Sequence, residues 1–221
     1  MERPRIQEAR LAVARHAAAL FWKHGVEGTS GDAIAAAAGL SKRTVWRYFR
    51  SKEACVEPLF LATGYRFIET LRAWPGDVSI ERHLHEAMTP APEGGQEMED
   101  GVAAARLVSL FPREPALRAA YLMASAQAEA ELLPIVASRA GLPVDGFEVR
   151  LCAAAAMAAL RVVDEEICSS AITHGRRYGL AEVIDRLAAA IRAACTLPIC
   201  DPVRLPAPGG PGTARRGPSP A

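Results

Sequence analysis

Between Ile6 and Lys23 the apolar positions Leu11, Ala14, Ala18, Phe21 and Trp22 recur at helical spacing, and Gly25 interrupts the pattern. The spacing predicts a first amphipathic helix over 6–23. Gly28, Thr29 and Ser30 supply a turn and an N-cap, and Asp32 adds negative charge where a helix N-terminus favours it. A second, very short helix is expected over 34–38, ended by Gly39. Ser41 then caps a helix of about two turns on which Val45 and Phe49, spaced i and i+4, form an apolar stripe. Ser51 is placed for the same capping role, and the following helix should run from there to about Arg72.

Beyond it, Trp74-Pro75-Gly76-Asp77 breaks the chain and Ser79 caps a helix expected to reach Thr89. Pro90 to Gly95 has the composition of a loop. Helical spacing returns over 96–111 and over 115–139, with a kink expected at Pro134. Asp145 can cap a long helix ending at Cys168 or Thr173, and a last helix spans 180–196. The pattern predicts nine helices and an all-α chain. A three-helix head occupies 6–54, with a reading unit of about 30–49, and a helical bundle occupies 55–200. Pro, Gly, Ala and Arg dominate after that, so a disordered, mildly basic tail is expected over 201–221.

Composition sharpens this. Half of the 221 residues are apolar but only 6% are aromatic, so alanine carries the hydrophobicity and favours helix. The net charge of +1 hides a polarity: residues 1–53 hold ten Lys and Arg against five Asp and Glu, while the remainder nets −4. A basic head sits on an acidic body. No secretory leader pattern opens the chain, and the longest apolar run, 151–160, is too short to span a bilayer, so a cytoplasmic protein with no membrane partner is expected. Five cysteines, with no CxxC pair, fit buried thiols in a reducing compartment; a redox-sensing thiol is the alternative.

The short helix after Ser41 carries the chemistry. Away from Val45 and Phe49 it presents Lys42, Arg43, Thr44, Trp46, Arg47 and Tyr48. Lys and Arg neutralise phosphate and release counterions, and Arg can also grip a guanine edge with two hydrogen bonds. Thr, Trp and Tyr offer donors and flat surface along a nucleic-acid backbone. The small Ala35 and Gly39 permit the close helix crossing that a helix-turn-helix requires.

The stretch from Thr29 to Glu53, TSGDAIAAAAGLSKRTVWRYFRSKE, resembles the signature of TetR-family transcriptional regulators in order and spacing, and Leu20-Phe21 before Gly25 also fits. The resemblance implies that Lys42 and Arg43 read base edges with Thr44, and that Ser41 and Thr44 cap the recognition helix and touch phosphate. It implies a backbone grip by Trp46, Tyr48 and Lys52, the last at a helix N-terminus. Arg47 and Ser30 complete the DNA-facing set. Trp46 stands where the family commonly has tyrosine.

For the body, the resemblance implies ligand binding and dimerisation. The helix around 151–163 is apolar on nearly its whole circumference and demands burial on every side, which a second copy, or a central place in the core of a monomer, would supply. The segments 111–118 and 137–141 are similar to those of mycofactocin-regulator-like members, a subgroup associated with acyl-CoA-like ligands. The candidate cavity residues are Met88, Arg106, Leu110, Phe111, Arg118, Tyr121, Leu122, Ser125 and Arg161. His83 and His85 sit on different helix faces and make a poor metal pair, and Asp164-Glu165-Glu166 reads as the solvated end of a helix. No phosphate loop or nucleophile elbow is present.

The expectation is therefore a non-enzymatic, homodimeric, helix-turn-helix DNA-binding regulator without cofactor or metal. It would most often be a repressor, released from a palindromic double-stranded DNA operator by a small hydrophobic effector. The alternative is a DNA-binding regulator with no small-molecule effector, controlled by a protein partner or by a thiol switch through Cys195 and Cys200.

Overall fold

The computed structural model describes residues 2–90, 92 and 94–203; the expected tail from Arg204 onward lies outside the described residues. Among those described there are only helices and turns. They are α1 (Glu2–His24), α2 (Gly31–Ala37), α3 (Lys42–Tyr48), a 3-10 turn (Glu53–Val56), α4 (Glu57–Arg72) and α5 (Ile80–Ala87), followed by α6 (Gln96–Ser109), α7 (Pro115–Ala140), α8 (Phe147–His174) and α9 (Leu180–Ala194). None of them is long and apolar enough to cross a membrane.

Local chemistry sets most boundaries. Ser30 Oγ accepts from the Ala33 amide and Ser41 Oγ from the Thr44 amide, both at 3.1 Å, so each caps its short helix. Gly39 adopts φ +65°, a left-handed conformation that glycine enters without penalty, and the Leu40 amide closes back on Ala35 O at 2.9 Å. This turn lets α3 leave α2 at an angle. Val45 and Phe49 then bury against Phe21 and Ile34, as the stripe required.

Three expectations need correction. Ser51 Oγ does accept from the Ala54 amide at 3.2 Å, but only a 3-10 turn follows, and α4 proper starts at Glu57. Pro58 is the reason: without an N–H it cannot continue an α-ladder from Ala54, yet it costs nothing in a first helical turn. Asp145 is not the cap of α8; Gly146 holds that position, with no side-chain bond. Finally, α8 runs on to His174, so Asp164 to Glu166 lie within it rather than at its end. Helix α7 is unbroken at Pro134.

The core runs from head to body. One apolar cluster joins Val13, Phe21, Ile34, Val45 and Phe49 through Leu59 and Phe60 to Leu107, Phe111 and Tyr121. Within it Phe60 packs edge-on to Tyr121 at 5.2 Å between centroids and to Phe111 at 6.1 Å. A second cluster, containing Ile68, Leu84, Leu132, Met157, Leu160 and Ile184, fills the far end of the bundle. Between α1 and α6, Arg15 makes a two-pronged ion pair to the buried Asp100 at 2.8 and 2.9 Å, and Arg106 lies 5.3 Å from the Trp22 ring centre.

Helix α8 is not buried all round by its own chain. Phe147 is 71% exposed, Leu151 48% and Val162 68%, an apolar strip on one side of a helix whose other side carries Cys152, Ala156 and Leu160 in the core.

Candidate nucleic-acid interface and body cavity

The outward surface of α3 is cationic and open. Arg43 and Arg47 are exposed, and Arg47 lies 5.2 Å from the Tyr48 ring centre. Lys42 is also exposed, and Asp32 of α2 holds its ammonium at 2.7 Å. This pair must loosen for Lys42 to reach DNA, a small cost between exposed charges. Ser41 Oγ lies 2.8 Å from Thr44 Oγ1, so the two hydroxyls brace the first turn of α3 together. Ser30 is exposed at the start of α2 beside this surface.

Two placements differ in character from the rest. Trp46 is 39% exposed and packs on Gly31: a Cβ at Gly31 would fall 2.1 Å from Trp46 Cζ2. The indole is therefore seated by the missing side chain. The Lys52 ammonium donates to Val26 O at 2.6 Å and to Thr29 O at 3.1 Å, tying the turn after α1 to the one before α4. Two of its three N–H groups are thus used internally and one is left over.

A cavity of about 250 Å³ lies between α4, α7 and α8, with Met88 and Leu187 also on its wall. Of the nine cavity candidates, Met88, Tyr121, Ser125 and Arg161 line it. Phe111, Arg118 and Leu122 instead border an open groove, where Arg118 reaches Glu165 at 3.3 Å. Leu110 packs on the head cluster, and Arg106 covers Trp22. The cavity candidates read from the sequence omitted the α4 wall, formed by Phe60, Thr63, Gly64 and Phe67. The available signal was Gly64. A mid-helix glycine costs about 1 kcal/mol relative to alanine, and a Cβ there would meet nothing within 4 Å. Its absence enlarges the cavity.

Asp164 also lines the cavity, with its Oδ2 accepting from the Tyr121 hydroxyl at 2.8 Å and its Oδ1 from the Cys168 thiol at 3.4 Å. Burial pushes the Asp164 carboxyl above its ordinary range, and burial likewise raises Tyr121 and Cys168.

No group of His, Cys, Asp and Glu among the described residues could hold a metal ion. His83 bonds Thr70 O at 2.7 Å, His85 faces Asp185 at 2.7 Å, and Glu81, held down to about 2 chiefly by its hydrogen bond from Arg192, is taken by that guanidinium. The cysteines are free thiols, and the Cys195 thiol donates to the backbone carbonyl of Cys152 at 3.8 Å. The neighbouring Cys195 side chain lowers the Cys152 thiol below its ordinary range.

A capped two-turn helix with an open cationic face, crossing a second short helix through a glycine turn and mounted on an all-helical body with its own cavity, defines a helix-turn-helix DNA-binding regulator. Comparison with known proteins agrees. Residues 14–59 match the family model for bacterial regulatory proteins of the tetR family, and residues 78–195 match that of the MftR C-terminal domain. The HTH-type transcriptional regulator TcmR of Streptomyces glaucescens is 30% identical over 167 residues, covering 73% of this chain and 74% of that protein. The chain belongs to the TetR family of transcriptional regulators. A solved structure described as a TetR-family transcriptional regulator from Mesorhizobium loti is 22% identical, with a TM-score of 0.45, covering 86% of this chain and 96% of that one.

Proposed function

We propose that this regulator acts as a homodimer, with residues 6–54 as the DNA-binding head, residues 55–200 as the body, and a small hydrophobic effector that releases it from a palindromic operator. Lys42, Arg43 and Thr44 read bases; Ser41, Trp46, Tyr48 and the remaining N–H of Lys52 grip the backbone, with Ser30 and Arg47 alongside. Two heads would enter successive major grooves roughly 34 Å apart. A ligand shifts that separation only as far as it binds the two states with different affinity.

The observation that carries this reading is the position of the cavity. Phe60 and Tyr121 belong both to its wall and to the apolar cluster that contains Phe21, Ile34 and Val45 of the head. A ligand that moves those two rings bears on the base of the head through packed side chains. The test has two parts. Purified protein is titrated against DNA upstream of its own gene and against random DNA at physiological salt; specific binding should be at least about a thousandfold tighter. Gly64→Leu, which fills the cavity from a position with free space, should keep operator binding and lose release by any effector that acts on the wild type. Release of Gly64→Leu at wild-type effector concentration removes the cavity from the mechanism.

A second reading has its own observation, the free thiol of Cys195 held against the backbone of Cys152, itself a free thiol. Operator binding that is indifferent to peroxide and reductant disposes of thiol control.

A further inference from the structure

We propose that the cavity selects a lipophilic monoamine, whose ammonium pairs with Asp164 while its hydrocarbon fills the space between α4 and α7. This rests on the reading of the cavity as the effector site. The argument begins with how the chain treats its other inward carboxylates. Glu57 and Asp100 are each 4% exposed, and each carries a guanidinium, Arg50 and Arg15 respectively. Asp164 is half-buried where it lines the cavity, and its two oxygens meet only the Tyr121 hydroxyl and the Cys168 thiol. Among the described residues no Lys, Arg or His forms an ion pair with it. Arg161, one turn earlier on α8, is on the cavity wall too and forms no ion pair with Asp164.

An inward carboxyl without a counter-ion is costly to ionise, and the missing partner is a cation. The surrounding wall suits one. Phe60, Phe67 and Tyr121 line the same space, and aromatic rings attract an ammonium through their faces. Met88 and Met157 add polarisable, adaptable surface to the hydrocarbon end. At about 250 Å³ the cavity falls below the usual range for drug-sized ligands, roughly 300–1,000 Å³, so the amine is small, of a single ring or a branched chain.

Three probes of one shape separate the head groups: phenylbutylamine, phenylbutanol and phenylbutyrate. Calorimetric titration into the full-length wild-type protein should give the amine an affinity about tenfold or more above the alcohol, with the carboxylate weakest. In Asp164→Asn the amine should fall to the level of the alcohol, whose own affinity stays put. Tyr121→Phe, which keeps the carboxyl and removes one neutral donor, should retain the preference for the amine. Equal binding of amine and alcohol by the wild type, tightest binding of the carboxylate, no binding of any probe, or an amine preference that survives Asp164→Asn overturns the proposal. The wild-type comparison stands even where a variant fails to fold. Amine binding that depends on Asp164 but leaves the operator complex intact supports this ligand chemistry and defeats the effector reading instead.

Discussion

Gly31 and Trp46 are fifteen residues apart and act as one unit, because the indole occupies the volume that a side chain at 31 would need. Gly31→Ala should therefore displace the ring, weaken operator binding and cost about 1–3 kcal/mol of stability. In a Trp46→Ala background the same change should be neutral or mildly stabilising, since alanine is the better helix former. Urea unfolding of the four proteins of this cycle measures the coupling, and additive effects would show that the two residues do not share space. The cationic character of α3 was legible in the sequence, as was the capping by Ser30 and Ser41. The internal duty of Lys52 was not, since Val26 and Thr29, whose carbonyls it ties, reach it only once α1 and α2 have folded back over the start of α4.

At the scale of elements, the helices followed from period and punctuation, and their ties to one another did not. The end of the chain after α9 is the clearest case. Arg139, 7% exposed on α7, donates to the carbonyls of Ile199, Pro75, Val78 and Asp201 at 2.6–3.2 Å and lies 3.4 Å from the Trp74 ring centre. Its burial lowers its pKa, and it has no carboxylate partner among these contacts. Arg139→Met should leave those carbonyls without donors, free residues 199–203 and cost about 3 kcal/mol. Limited proteolysis that opens the chain after residue 196 in the variant alone would register the release, and an unchanged digest would refute it.

The tie between α1 and α6 makes a pH prediction. Burial pushes the Asp100 carboxyl up, but the Arg15 hydrogen bonds and charge outweigh it and hold the group below its ordinary value. A carboxyl depressed on folding contributes stability that is present above its unfolded pKa of about 4 and is lost as pH falls through the lower folded value. Asp100→Asn should therefore be less stable than wild type near pH 7 and should lose less on acidification below about pH 4. Urea midpoints for both proteins across that window decide it; parallel acid limbs would exclude Asp100 as a contributor.

For the whole molecule, the exposed strip of Phe147, Leu151 and Val162 on α8 is the surface that asks for a second copy. Leu151→Glu and Val162→Glu should convert the proposed dimer to a folded monomer. Sedimentation reads the change, circular dichroism checks the fold, and operator affinity should fall because one head must then bind without its twin. Two variants that sediment as the wild type does would move the interface elsewhere.

The sequence by itself determined the class of element, the head's turn and caps, and the cationic side of α3, because each depends on residues within one or two helical turns of one another. It also marked the α8 apolar circumference, whose uncovered side became visible only with neighbours in place. Tertiary structure decided which residues enclose the cavity: four of nine candidates line it, and the α4 wall joins them only after α4 packs on α7. It likewise turned Asp164 from one acid in a charged run into a carboxyl aimed at an apolar space. That choice depends on the rotation of α8 against α7, which is set by the packing of Ala153, Ala156 and Leu160 across the whole bundle and is written in no local pattern.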